Sequence, residues 1–422
     1  MAIIEINNLG PVKNCKMNLE QFCILTGPQA SGKSTIAKAL FYFRTVKDDC
    51  LTLYSKEKAA GEETENFSHR LKKYLRGKFM QMFGSSWGMS MDMNMSYTFA
   101  ENTYIRLILK ESIYPGAQNY IDFVFSEDIN QIFNELDSGN YRREEVVKIL
   151  QRVFHDEFET VYIPAGRSLI TLLTSQLNYI LSSMDDGQKR SIDYCTQNYM
   201  ERILRVKPLF SDGMRRMYYD KLLTSTEQVK EDLLVKLMDT IDVILKGKYQ
   251  YVGGEERLVL NEHQYVKMNY SSSGQQEVIW ILNLLFYYVL ENRKIYLILE
   301  EPESHLYPEA QSRVVEALGI FFNAGNQLLV TTHSPYILGS INNLLYAGSL
   351  DEKCPEQVEK IFEKERQLHV KNTVAYDVSG GKLSNIMDDS EPLLQNSVID
   401  GISQEINERM DQLLRIDLGE SK

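Results

Sequence analysis

The chain has 422 residues, a formal net charge of -12 and ordinary globular usage, with 43% apolar and 25% charged residues. That length points to one domain carrying a large insertion, or to two domains. The acidic balance argues against a broad nucleic-acid footprint, which draws on a surplus of Lys and Arg. Five scattered cysteines with no CxxC pair argue against a disulfide framework or a zinc site and fit a reducing cytoplasm.

The start, Met1 to Glu5, lacks the basic-then-apolar pattern of a secretion signal. Residues 1–45 read as a short strand, a turn, a strand ending at Thr26, a Gly-rich loop and a helix from about Lys33. The loop is Gly27, Pro28, Gln29, Ala30, Ser31, Gly32, Lys33, Ser34 and Thr35, which matches Gly-x4-Gly-Lys-Ser/Thr between a strand and a helix. Its glycines let backbone amides curl around phosphate oxygens, and the helix start adds a favourable dipole. Lys33 reaches the outer phosphates, and Ser34 offers its hydroxyl to Mg2+.

Residues 51–80 read as helical and charged, and His69–Lys78 is a local basic strip. Such a strip suits either a nucleic-acid contact or a solvated helix face. Phe79–Asn94, rich in Met, Gly and Ser, reads as a loop. Alternation in Tyr104–Leu109 and Tyr120–Phe125 predicts half-buried strands, a helix follows near Arg143–His155, and Val161–Pro164 reads as another strand. Residues 168–247 are nearly all helical in pattern, with Leu223, Val229, Leu233, Leu234, Leu237, Ile241 and Ile244 recurring mostly at three- and four-residue intervals.

After Gly253 and Gly254 the pattern returns to α/β. A Ser/Gly loop at 271–274 precedes a helix whose apolar run, Val278–Leu290, is too short to span a bilayer and contains Asn283. A buried helix and no membrane partner are the expectation. The apolar strand Ile295–Leu299 delivers Glu300 and Glu301 at its carboxyl end, where adjacent side chains diverge. One carboxylate can support a magnesium shell while the other orients or deprotonates water. A second apolar strand, Gln327–Val330, leads to His333. Alone, such a histidine most often makes a structural hydrogen bond; beside a phosphate loop and paired carboxylates it suits a contact to phosphate or attacking water.

Four segments, in this order, resemble the ATP-binding-cassette ATPase superfamily: Gly27–Ser34, Ser271–Gln276, Leu299–Leu306 and His333. The resemblance implies an α/β fold, namely an ATP-binding-cassette-type P-loop ATPase head with an inserted, mainly helical domain. Its parts would be residues 1–167, a helical insertion or dimerisation domain over 168–250, and 251–422. It implies ATP and Mg2+ as cofactors and two sites that form when two heads meet, in a homodimer or higher homo-oligomer. Ser272, Gly274 and Gln275 then belong to the signature segment that reaches the partner's ATP, with Ser273 standing where the family has its first glycine. Glu300 takes the place of the magnesium-supporting acid, usually aspartate, and Glu301 that of the catalytic glutamate. Ser304 and His305 fall in the loop that crosses the interface, His305 replacing the common aspartate. His333 is the switch histidine, and Gln81 a magnesium- and water-sensing glutamine.

Within that superfamily, residues 163–168, 300–306, 332–335 and 396–411 resemble the overcoming-lysogenisation-defect proteins and bacterial anti-phage defence ATPases. The nuclease carboxylates that many of those relatives carry are not apparent after His333. The resemblance therefore implies a cytoplasmic ATP hydrolase that regulates a separate effector, such as a nuclease, in response to a phage component or DNA. A DNA-repair or chromosome-maintenance ATPase and an ATP-gated scaffold with little turnover stay open beside it. Arg167 suits phosphate, nucleic acid, a partner or an interdomain salt bridge.

Overall fold

A computed structural model of the chain describes residues 2–60, 66–85, 88–112, 119–173, 176–185, 187–188, 192–225, 228–351, 353–395 and 407–415. The strands are β1 (Ala2–Leu9), β2 (Val12–Leu19), β3 (Phe22–Thr26), β4 (Asn94–Ala100), β5 (Thr103–Lys110), β6 (Tyr120–Phe125), β7 (Glu159–Ile163), β8 (Lys248–Val252), β9 (Glu255–Asn261), β10 (Gln264–Lys267), β11 (Ile295–Glu300), β12 (Gln327–Thr331), β13 (Thr373–Ser379) and β14 (Lys382–Asn385). Eleven of them form one sheet in the order β6-β5-β4-β1-β2-β14-β13-β3-β12-β11-β7, and β10-β9-β8 form a small second sheet.

The large sheet has two characters. From β6 to β2 the neighbours are antiparallel, and β2 and β5 alternate buried with exposed positions, so one face packs and the other meets water. From β13 through β3, β12 and β11 to β7 every pair is parallel. Here β3 and β11 are buried along their whole length, as strands covered on both faces must be.

Successive residues in these parallel strands feed opposite cores. Ile24, Ile163, Leu297, Leu299 and Val330 join one cluster with the helices Glu231–Leu245, Ser273–Leu290, Pro308–Asn323 and Pro335–Leu350. Leu25, Tyr162, Ile298 and Leu329 join the other, with the helices Lys33–Arg44 and Phe67–Phe83. The expected α/β class is what the chain adopts. Leu234, Leu237, Ile241 and Ile244, on the helix expected from the three- and four-residue spacing, share the first core with the helix Ser273–Leu290.

Several sequence expectations are corrected. Residues 1–19 hold two strands rather than one. Phe79–Phe83 is not loop: it completes a helix, because Phe79 and Met82 are buried and Phe79 packs edge-on against Tyr42. Leu223 is 83% exposed rather than on the packed face of its helix. The tail contributes β13 to the interior of the sheet beside β3. The 396–411 resemblance lies largely outside the described residues, which resume with helix at 407–415. Among the described residues, no helix is long and apolar enough to cross a membrane.

Candidate functional site

Parallel pairing places the carboxyl ends of β3, β12, β11 and β7 along one edge of the sheet. The phosphate-type loop follows β3, His333 follows β12, Glu300 and Glu301 close β11, and residues 164–168 follow β7. Four segments distant in sequence therefore converge because adjacent strands end together.

The loop hugs the sheet at Gly27. A Cβ there would fall 2.3 Å from the Val378 carbonyl oxygen of β13, and φ is +136°, so a side chain is excluded twice over. Lys33 opens the helix Lys33–Arg44 and is buried. Its Nζ donates to the carbonyls of Gly27 (2.9 Å) and Pro28 (2.8 Å), drawing the loop around its own cation. Burial lowers the Lys33 ammonium below its usual range, opposed by the charges of Glu301, Asp377, Glu303 and Glu300. Pro28, Gln29, Ala30 and Ser34 face outward. Ser34 and Thr35 also line a cleft of about 620 Å³ with Asn8, Gly10, Lys13 and Phe83, a size in the range of small-molecule sites.

His333 bridges the loop and the acids. Its Nδ1 lies 3.4 Å from Lys33 Nζ and its Nε2 lies 3.2 Å from Glu301 Oε1. A neutral imidazole protonated on Nε2 satisfies both contacts: Nε2–H donates to the carboxylate and Nδ1 accepts from the ammonium. Glu301 sits at φ +43°, an uncommon left-handed conformation, with its N–H bonded to the Thr331 carbonyl at 2.9 Å. Glu300 is buried. One of its oxygens accepts from the Ala165 N–H at 3.3 Å, and the Tyr162 hydroxyl is a neighbour of the same carboxylate.

Ser272 caps the helix Ser273–Leu290. Its hydroxyl accepts from the Gln275 N–H, and Gln275 Oε1 accepts from the Ser272 N–H at 3.0 Å, a reciprocal cap. Gln275 Nε2 donates to the Leu245 carbonyl at 2.7 Å, so this side chain is engaged within the chain. Gly274 abuts the loop after β11: a Cβ there would meet the His305 carbonyl oxygen at 2.7 Å. Ser272, Ser273 and His305 are exposed, and among the described residues no hydrogen bond joins 271–276 to 27–35.

The structure thus brings together Gly27, Lys33, Glu301 and His333 and leaves Ser272 and Ser273 of the signature segment exposed. It does not bring Gln81 to the loop. Gln81 Nε2 donates to Gln197 Oε1 at 3.4 Å, and the residue lines a separate cleft with Leu53, Tyr74 and Tyr194. Its helix continues through Phe83, which turns Met82 and Phe83, rather than Gln81, toward the phosphate-loop cleft.

Three residues of this region were not singled out from sequence. Glu303 Oε1 accepts from the Thr332 hydroxyl and from the His333 N–H, each at 2.7 Å, and so pins the histidine's backbone. Asp377, at the end of β13, adds negative charge beside Lys33. Glu277 is a buried carboxylate in the first turns of an otherwise apolar helix. A lone acid leading such a run signals a buried partner, and the partner is Arg167.

The basic strip is largely neutralised. Lys78 is buried against Asp49 (2.5 Å), Arg76 donates to the Ile121 carbonyl (2.6 Å), and Arg70 and Lys72 lie near Asp137 and Asp122.

Residues 1–338 match a family model described as AAA ATPase domain. Among solved structures, the chain is similar to an SmcHead bound to the C-winged helix domain of ScpA, at 10% identity and a TM-score of 0.41, covering 91% of this chain and 96% of that one. It is also similar to an Smc head domain with an extended coiled coil bound to the C-terminal domain of ScpA derived from Pyrococcus furiosus (12%, TM-score 0.38, covering 96% and 100%). The SMC head domain from Thermotoga maritima is a third (12%, TM-score 0.36, covering 91% and 97%). A comparison with curated proteins finds no match.

Proposed function

The chain belongs to the AAA ATPase domain family, and on that premise we propose that it hydrolyses Mg-ATP in the ATP-binding-cassette manner, with two sites completed when two copies meet face to face. The observation that carries this reading is the Lys33–His333–Glu301 chain of contacts at the ends of three adjoining parallel strands. An acidic pair kept for stability alone would not need a phosphate-type loop beside it and a histidine between that loop and Glu301.

In this reading residues 27–35 cradle the phosphates, and Lys33 exchanges its bonds with the loop carbonyls for phosphate oxygens. Ser34 and Glu300 would hold magnesium. The buried carboxylate of Glu300, with one oxygen that accepts no backbone hydrogen bond, fits that role. Bound there with the phosphates, Mg2+ would neutralise charge on their outer oxygens. Glu301 takes a proton from water as its oxygen bonds to the terminal phosphorus and the bridging P–O bond breaks. His333, held by Glu303, senses the terminal phosphate. Ser272, exposed at the helix start, reaches the ATP of the second copy, with Gly274 packed behind it against the loop after β11.

Glu301→Gln tests the reading. It keeps size and removes the base, so single-turnover phosphate release should slow by about 10²–10⁴-fold while ATP still drives pairing. Parental release would sink the role of Glu301; loss of ATP binding would make it a metal-holding or structural residue instead.

The wider setting is proposed on the motif resemblance to anti-phage ATPases: a cytoplasmic homo-oligomer that restrains or releases a separate effector, such as a nuclease, with residues 168–250 as its helical insertion. The neutralised helix Phe67–Phe83 supports a protein effector over DNA binding along that strip. Purification of the native complex decides this point, because a nuclease partner supports it and a permease overturns it.

A further inference from the structure

Arg167 has no exposed surface, and each of its guanidinium nitrogens is committed. Nη1 donates to the carbonyls of Pro164 (2.7 Å) and Glu300 (2.6 Å), and Nη2 donates to the carbonyl of Glu301 (2.9 Å). Nε donates to the Glu277 carbonyl at 3.1 Å and lies 3.4 Å from a Glu277 carboxylate oxygen. Glu277 in turn accepts from the Arg167 N–H (2.9 Å) and the Ser168 N–H (3.0 Å). Thr171 extends the seam by donating its hydroxyl to the Gln276 carbonyl at 2.8 Å.

One side chain therefore joins two pieces with different tasks. On one side are the backbone carbonyls of the two acids that end β11. On the other is the second turn of the helix that presents Ser272. The contact at Glu301 matters most, because that residue's left-handed backbone is uncommon and must be held by its neighbours. Desolvating an Arg–Glu pair is expensive, and stability alone is weakly served by it. A planar fork that fixes several acceptors at once is what geometry requires.

We propose that Arg167 is a positioning residue, and that the Arg167–Glu277 clasp makes the Glu301 backbone and the signature helix move as one body. The proposal rests on the two-copy reading above. There, each chain lends Glu301 to one ATP and Ser272 to the other, so the clasp links the two composite sites through the interior of a single protomer. Closure of the signature segment on the partner's nucleotide and alignment of Glu301 on its own nucleotide become a single event. Gly274 against His305 forms a second, parallel contact between the same two pieces.

Arg167→Lys and Glu277→Gln separate this from a role in folding. Lysine keeps the charge but cannot reach all the acceptors of the fork, and glutamine keeps the shape but loses the ion pair. Both should leave ATP affinity of the separate chain within about threefold, since neither touches residues 27–35. ATP-driven pairing, followed by sedimentation, should weaken, and kcat should fall about 10–100-fold, with the double variant no worse than the worse single one because the two act as a unit. Parental pairing and kcat in both variants would overturn the clasp. So would Arg167→Lys lowering kcat while Glu277→Gln leaves pairing and kcat unchanged, since Arg167 would then serve Glu301 alone. Should Arg167→Lys fail to fold, Glu277→Gln decides by the same two readouts. A parent chain that binds ATP but never pairs overturns the two-copy reading itself, a result seen before either variant is made.

Discussion

At the level of single residues, the site concentrates unfavourable local choices where neighbours can hold them. A non-glycine residue at positive φ costs on the order of 1–3 kcal/mol, and Glu301 and His305, flanking the acidic turn, both adopt one. The Thr331 carbonyl and the Arg167 fork fix Glu301 from either side. A different residue, Asp48, shows such a cost without a functional reason. Burial pushes its carboxyl up to about 6, Lys47 opposes the shift, and Asp49 and Glu159 add to it. Because the folded value exceeds the unfolded one, the folded chain holds this proton more tightly. The associated destabilisation is absent below about pH 4 and complete above about pH 6. Asp48→Asn should therefore raise stability at pH 7 by roughly 1–2 kcal/mol, discounted for partial exposure, and the gain should vanish near pH 4. Urea unfolding of both proteins at the two pH values checks it, and an equal gain at both would contradict the assignment.

At the level of elements, the helix Ser273–Leu290 begins where it does because Ser272 and Gln275 cap each other, and it lies where it does because Gly274 has no side chain. Gly274→Ala would drive a Cβ into the His305 carbonyl oxygen, a backbone atom with little room to yield. We expect the variant to stay folded and bind ATP as a separate chain, but to lose at least about tenfold in ATP-driven pairing, the cost of displacing a packed loop by one methyl group. Sedimentation with and without ATP measures this, and parental pairing would remove Gly274 from the contact surface. The same elements show what a sequence reveals. Gly27–Ser34 and Ile295–Glu301 are contiguous, each with its chemistry and its strand side by side, so they are legible directly. β13 is not, because TVAYDVS is short and follows a charged stretch; its place beside β3 comes from a partner some 350 residues away. β4 is less legible because it begins at Asn94, at the end of the Met-, Gly- and Ser-rich stretch, although it pairs with the adjacent β5. The roles of Glu303, Glu277 and Arg167 exist only as contacts between the segments after the strands and the helix Ser273–Leu290, and Gln81 lies away from the phosphate loop because its helix runs on through Phe83.

At the level of the whole molecule, the loop and the signature segment of one chain do not bond to each other, and both present exposed residues. A two-copy assembly supplies the missing half to each. Mixing a Lys33→Ala chain with a Ser272→Arg chain leaves one interface site doubly damaged and the other intact. ATP turnover in verified mixed pairs should recover to about half the parental rate, above either variant alone, if the two sites act independently. Absence of recovery in such pairs would count against independent composite sites.

The strand order carries one more consequence, for the ribosome rather than for the finished protein. β3 leaves the exit tunnel well before β13, which is one of its two sheet neighbours, and the floor beneath Gly27 is Val378. Until residues 373–385 have been translated, the strand that carries the phosphate loop lacks a flank and the loop lacks its seat. Pairings of such long sequence separation form late and slowly. The nascent chain thus acquires its nucleotide cradle only after the acids, the histidine and the clasp have been synthesised, so a partly made copy has no finished pocket in which to trap ATP.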